Sequence, residues 1–177
     1  RSAGPYHLLS PRVLMKSNET QHNSDVNAVI EPHQISKNIK KDCLRLLTRR
    51  DHSRKEIQLK MAVKDYESSQ VSAVIDDLAQ QGWQDDTRYA ESYARMRSHK
   101  GFGPIRIAYE LQQQGIEAHT VDKVLQATSD NWLNLMEQVY NKKYPGPLAM
   151  DSNERAKRIR FLLHRGFSSA IITTLFK

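Results

Sequence analysis

Three stretches of the chain carry the same spacing of apolar positions. In the first, Met61 stands four residues before Asp65, Tyr66 follows directly, and Val71, Val74 and Ile75 come six, nine and ten residues beyond. The same offsets from Gly115 hold Leu111, Ile116, Val121, Val124 and Leu125. From Gly166 they hold Leu162, Phe167, Ile172, Leu175 and Phe176. The anchors lie 50 and 51 residues apart. Such a spacing predicts a helix that ends at a residue of positive φ, which Gly adopts freely and Asp tolerates. The apolar residue after the anchor folds back on the finished helix, and the last three lay one stripe along the next. Three copies at one period predict a structural repeat.

A further helix precedes each pair. Ile35, Ile39, Cys43, Leu46 and Leu47 fall on one face in the first copy. In the second, a helix over about residues 86–98 turns Tyr89, Tyr93 and Met96 inward, and in the third Trp132, Leu135, Met136, Val139 and Tyr140 serve. The stops agree: Ser53-x-x-Glu56 and Asp151-x-x-Glu154 read as capping boxes, and Gly103-Pro104 opens a helix with proline in its first turn. Pro145-Gly146-Pro147 ends one. Asp85 and Asp86 after Gly82-Trp83 put carboxylates at a helix N-terminus, where the dipole favours them. The expected fold is therefore all-α, three tandem three-helix repeats in an elongated, curved array, with repeats at residues 35–84, 85–128 and 129–177. Residues 1–34 are polar and lack periodicity over most of their length, and are set aside as a flexible or appended segment. Met15 within them is a candidate native start, and no continuous apolar run there suits a signal peptide.

Composition narrows the function classes. With 177 residues and 38% hydrophobic side chains, the chain can bury a real core. Its apolar runs are too short to cross a membrane. The lone Cys43 cannot form an internal disulfide and reads as a core residue, which fits a reducing, cytoplasmic setting. The net charge of +7 suggests nucleic acid or an acidic protein surface as partner.

Enzyme motifs are absent. Gly101-Phe102-Gly103 lacks the later glycine and the preceding strand of a dinucleotide loop. The histidines lack ligand spacing and there is no cysteine pair for zinc. The adjacent Asp76 and Asp77 read as a solvated helix face. No catalytic residue, metal or cofactor is expected. Binding features are clearer. On the middle helix of the third repeat, Ala156, Ile159, Leu162 and Leu163 form the core arc, and Lys157, Arg160 and Arg165 fall mostly opposite, with Arg158 alongside. A second cationic set is Arg95, Arg97, Lys100 and Arg106, around the loop at residues 98–103. A third is Arg45, Arg49, Arg50, Arg54 and Lys55. Each set suits phosphates or a partner's carboxylates, or is simply a solvated face. Gly82, Asp85, Asp86, Gly115 and Gly166 read as turns and caps.

Leu78-x-x-x-Gly82-Trp83-x-Asp85-Asp86-x-x-Tyr89-Ala90, followed by Gly101-Phe102-Gly103-Pro104-x-Arg106-Ile107-x-x-Glu110-Leu111-x-x-x-Gly115-Ile116, resembles the bacterial RecX family. The upstream Ser53-Arg-Lys-Glu56-Ile57 is similar to the start of that family's first helix pair. The resemblance covers about residues 35–177. Asp65 stands where a glycine is usual, and Trp83-Gln84 replace a smaller apolar pair. The resemblance implies a monomeric regulator of the RecA recombinase, mainly an inhibitor. Such a protein would bind the RecA–DNA filament and restrain ATP hydrolysis and strand exchange in recombination, repair and SOS control. It also implies contact with single-stranded and, secondarily, double-stranded DNA, and no cofactor. Another reading is a stand-alone basic DNA-binding module, against which the interspersed Glu110, Asp122, Glu137 and Glu154 weigh.

Overall fold

A computed structural model describes residues 29–129, 131–147 and 151–177. The segment set aside at the N-terminus, with Met15, lies outside the described residues up to residue 28. Nine helices and no strands are present among the described residues. They are α1 (Pro32–Leu47), α2 (Arg54–Ala62), α3 (Ser68–Gln80), α4 (Asp86–His99), α5 (Pro104–Gln113), α6 (Ala118–Thr128), α7 (Trp132–Lys143), α8 (Ser152–Arg165) and α9 (Ser169–Leu175). The first begins at Pro32, with proline in its first turn, slightly ahead of the expected start.

Three separate cores form, each from three consecutive helices. Ile39, Cys43, Ile57, Met61 and the Val71–Leu78 stripe fill the first. Tyr89, Ala90, Ala94, Ile107, Leu111 and the α6 stripe fill the second. Met136, Tyr140, Leu162, Phe167 and Ile172 fill the third. Leu162 is wholly buried, and a leucine so placed stabilises the fold by about 2–5 kcal/mol relative to alanine.

The anchor geometry repeats in all three units. Asp65, Gly115 and Gly166 have φ of 60°, 80° and 94°. The amide of each following residue donates to the carbonyl of the residue four before the anchor. These bonds run from Tyr66 to Met61 (3.4 Å), Ile116 to Leu111 (3.1 Å) and Phe167 to Leu162 (3.2 Å). That is the six-to-one bond of a Schellman ending, and it explains why both positions must be apolar: they are stacked by the same turn. Ser53 and Glu56 form a reciprocal capping box. Asp151 accepts the Glu154 amide, while the Glu154 side chain turns to Arg158 instead.

Two positions expected to face inward do not. Met96 is 39% exposed and Leu163 44% exposed. On both helices the covered face is turned from the expected one: α4 buries Ala90, Ala94 and Ser98 beside Tyr89, and α8 buries Leu162 with Ile159 and Phe161 packed on the same core.

The joints between units are built differently. Between the first and second, Asp86 on α4 accepts the Arg54 backbone amide at the start of α2 (2.8 Å), and Arg88 bonds Asp51 (2.8 Å). Between the second and third, backbone meets backbone. The Gly103 amide donates to the Arg165 carbonyl (2.8 Å), and the Ile105 amide to the Gly166 carbonyl (3.0 Å). The unsatisfied N–H groups at the start of α5 thus meet the unsatisfied carbonyls at the end of α8, so opposite dipole ends face each other.

Candidate binding surface

The cations picked out by sequence divide into two classes by what their guanidinium or ammonium groups touch. Eight are committed within the fold, Arg45 to Asp42 at 3.8 Å and Lys55 to the Gln113 carbonyl at 2.9 Å among them. Arg97 grips Glu110 through Nε (2.8 Å) and Nη2 (2.7 Å), and Arg106 reaches the same carboxylate at 3.0 Å. The Tyr93 hydroxyl donates to it as well (2.9 Å). Burial favours the neutral acid at Glu110, but these hydrogen bonds outweigh it and hold the carboxyl below the usual glutamate range. Burial, with the bond to Glu110, pushes the Tyr93 phenol up to about 12. Arg158 bonds Glu154 (2.9 Å) and the Tyr140 oxygen (2.8 Å). Arg50 is bidentate to Glu56, both bonds 3.1 Å. Arg54 pairs with Asp76 at 2.7 Å.

Arg165 is the eighth, and here the helical-wheel expectation of a solvent-facing cation needs correction. Its Nη1 donates to the Lys100 carbonyl (3.1 Å), and its guanidinium lies 4.7 Å from the centre of the Phe102 ring. Arg97 covers that ring at 3.7 Å and Arg106 approaches to 5.7 Å. Three arginines from two units therefore converge on Phe102. The wheel of a single helix is blind to the adjoining unit, which is what Arg165 contacts.

The second class is Arg49, Arg95, Lys100, Lys157 and Arg160. All are exposed, and none has an ion-pair partner among the described residues. Lys157 and Arg160 lie three apart on α8, so they share a face. Of the cations picked out by sequence, these five are left to meet a partner.

The turn and cap residues fall where expected, with one change of role. Gly82, Gly115 and Gly166 take positive φ, and Asp85 caps its own helix through the amides of Thr87 and Arg88. Asp86 does not cap α4: its carboxylate caps α2, in the preceding unit. Asp51 and Arg88 tie the first unit to the second, and Glu110 holds α4 to α5 within the second, roles the sequence does not single out. The spacing of Arg106 and Glu110, four apart on one helix, was the one available signal.

Cys43 is buried, and burial pushes its thiol up to about 11, so it offers no nucleophile. Among the described residues no group of three or more His, Cys, Asp or Glu could hold a metal ion, and no helix is long and apolar enough to cross a membrane.

Three-helix domains of RecX, the first, second and third, match residues 40–78, 85–125 and 130–176. The chain belongs to the RecX family. It is 37% identical over 134 residues to "Regulatory protein RecX" of Legionella pneumophila (strain Corby), spanning 76% of this chain and 89% of that one. To the protein of the same name from Pseudomonas fluorescens it is 34% identical over 137 residues, spanning 77% and 88%. The crystal structure of RecX from Lactobacillus salivarius superposes with a TM-score of 0.67 at 25% identity, covering 81% of this chain and 96% of that one. In this RecX chain, the Gly-Phe-Gly-Pro segment at residues 101–104 forms the joint to the third unit, and Asp86 of the Asp-Asp pair reaches the first.

Proposed function

We propose that this chain regulates the RecA recombinase, binding the RecA–DNA filament as a monomer in the cytoplasm and restraining ATP hydrolysis and strand exchange. The observation that carries this reading is RecX membership across all three units. The uncommitted cations, Lys157 and Arg160 among them, support it, because they suit the phosphates or carboxylates of a filament. The role is one of binding, without a cofactor or a catalytic step.

RecA ATPase on single-stranded DNA, with this protein titrated in at two salt concentrations, tests the reading. Loss of activity at substoichiometric protein supports filament binding. Loss only at amounts that coat the DNA, and only at low salt, marks a DNA-binding module that competes for phosphates. Unchanged ATPase and strand exchange at excess protein discards the RecA reading.

A further inference from the structure

At the joint between the second and third units, the ends of α4 and α7 and the flank of α8 form an open groove. Leu135 and Val139 supply an aliphatic floor, and Lys100, Lys142, Lys143 and Arg165 line its cationic sides. No Asp or Glu lines it. None of these four cations has an ion-pair partner among the described residues.

The groove is fixed by contacts between units. Gly101 has φ of +83°, and a Cβ there would come 2.9 Å from Cγ2 of Val139, so the end of α4 sits hard against α7. Arg165 is tied to the Lys100 carbonyl at 3.1 Å. A ligand would therefore meet formed walls and little ordering cost.

We propose that this groove docks a short acidic peptide segment of a partner protein, with its carboxylates on the lysine-rich sides and one aliphatic side chain on the floor. Charge complementarity requires an anionic occupant. Between anions, the floor decides. A single-stranded nucleic acid gains its hold by stacking bases on free aromatic faces. Phe161, the large aromatic ring of the groove, already carries Lys143 at 4.6 Å and Arg165 at 5.4 Å, and the small imidazole of His99 is the other ring on its lining. The floor of Leu135 and Val139 is aliphatic and suits a leucine-like side chain better than a base. The groove's chemistry names a peptide composition rather than a protein, so its occupancy stands or falls apart from the RecA reading.

The test is fluorescence anisotropy with the full chain and three labelled probes: a glutamate-rich peptide with one central leucine, its glycine-centred counterpart, and oligo(dT). The leucine peptide is expected to bind, to bind better than the glycine peptide, and to weaken as salt is raised. Lys142→Gln with Lys143→Gln should weaken it about tenfold, as two surface charge contacts are lost. Lys37→Gln with Lys41→Gln, two exposed lysines on α1 away from the groove, should leave it unchanged. Val139→Ala should reduce leucine-peptide binding and spare the glycine peptide, and thermal melts of each variant separate loss of binding from loss of fold. The proposal is overturned by absence of peptide binding, by equal binding of the two peptides, or by a lysine pair variant that binds as tightly as the parent. Oligo(dT) binding that depends on the same lysines and is not displaced by the peptide would also overturn it.

Discussion

The Gly103 amide lies 2.8 Å from the Arg165 carbonyl, and a Cβ built on Gly103 would stand 2.5 Å from the Gly166 carbonyl oxygen. The two chain segments approach as closely as backbones can, and a side chain on either would hold them apart.

Alanine at these glycines should therefore separate two effects. At Gly82, φ is +78° and nothing lies within 4 Å of a new Cβ, so Gly82→Ala carries only the backbone strain, about 1 kcal/mol. At Gly166, φ is +94° and the new Cβ would fall 2.5 Å from the Arg106 amide nitrogen. Gly166→Ala adds the forced separation of two units and should cost about 2–4 kcal/mol, strain and overpacking together. Urea unfolding of the two variants checks the order; equal losses would mean that the joint yields freely.

Asp85 and Asp86 are neighbours that cap different helices. Each alanine variant should cost about 1 kcal/mol, the usual worth of an N-cap. Their local signatures differ. Asp85→Ala should speed amide hydrogen exchange at Thr87 and Arg88, whose N–H groups it accepts. Asp86→Ala should speed exchange at Arg54, 32 residues away. Exchange measured by NMR reads this directly.

Stability should fall in acid through Glu110. Its folded pKa lies below the ordinary value. The stabilisation is therefore fully present above the unfolded-state pKa, about 4.3, and is lost as pH falls through the lower folded value. Glu110→Gln leaves Arg97 and Arg106 without their shared carboxylate and should cost about 1–3 kcal/mol at neutral pH. The variant's deficit should shrink towards acid. Urea titrations over a pH series check both limbs.

Reversing cations on α8 should give opposite outcomes for adjacent residues. Lys157→Glu with Arg160→Glu alters two exposed side chains, so filament binding should weaken about tenfold with helicity and melting unchanged. Arg158→Glu breaks bonds to Glu154 and Tyr140 and should destabilise the fold by about 1–3 kcal/mol. Circular dichroism alongside the ATPase assay distinguishes them.

Most of the architecture was legible because it is local. The anchor, the apolar residue before it and the stripe after it all lie within fifteen residues or so of one another. A Schellman ending also demands apolar side chains at fixed offsets. Asp65 shows how strong that pattern is, since it takes φ of 60° where glycine would be easier. The surface was less legible. Arg97 and Arg106 looked like free cations because Glu110 counted as a diluting acid, when it is their shared acceptor. The partners of Arg165 and Asp86 escape the sequence for one reason: they belong to another unit, and periodicity along one helix carries no information about a neighbour. Met96 and Leu163 show the same gap, because which side of a helix is covered depends on where its neighbours lie.

The separate cores also bear on how the protein is made. Each core closes from one stretch of consecutive helices, so the first unit can condense while the ribosome is still adding the second. The second reaches completion in one respect unfinished. The amides of Gly103 and Ile105 must be held by water until α8 emerges, more than fifty residues later, to supply its carbonyls. The nascent chain thus carries a short-lived, donor-rich helix start that only the third unit can close.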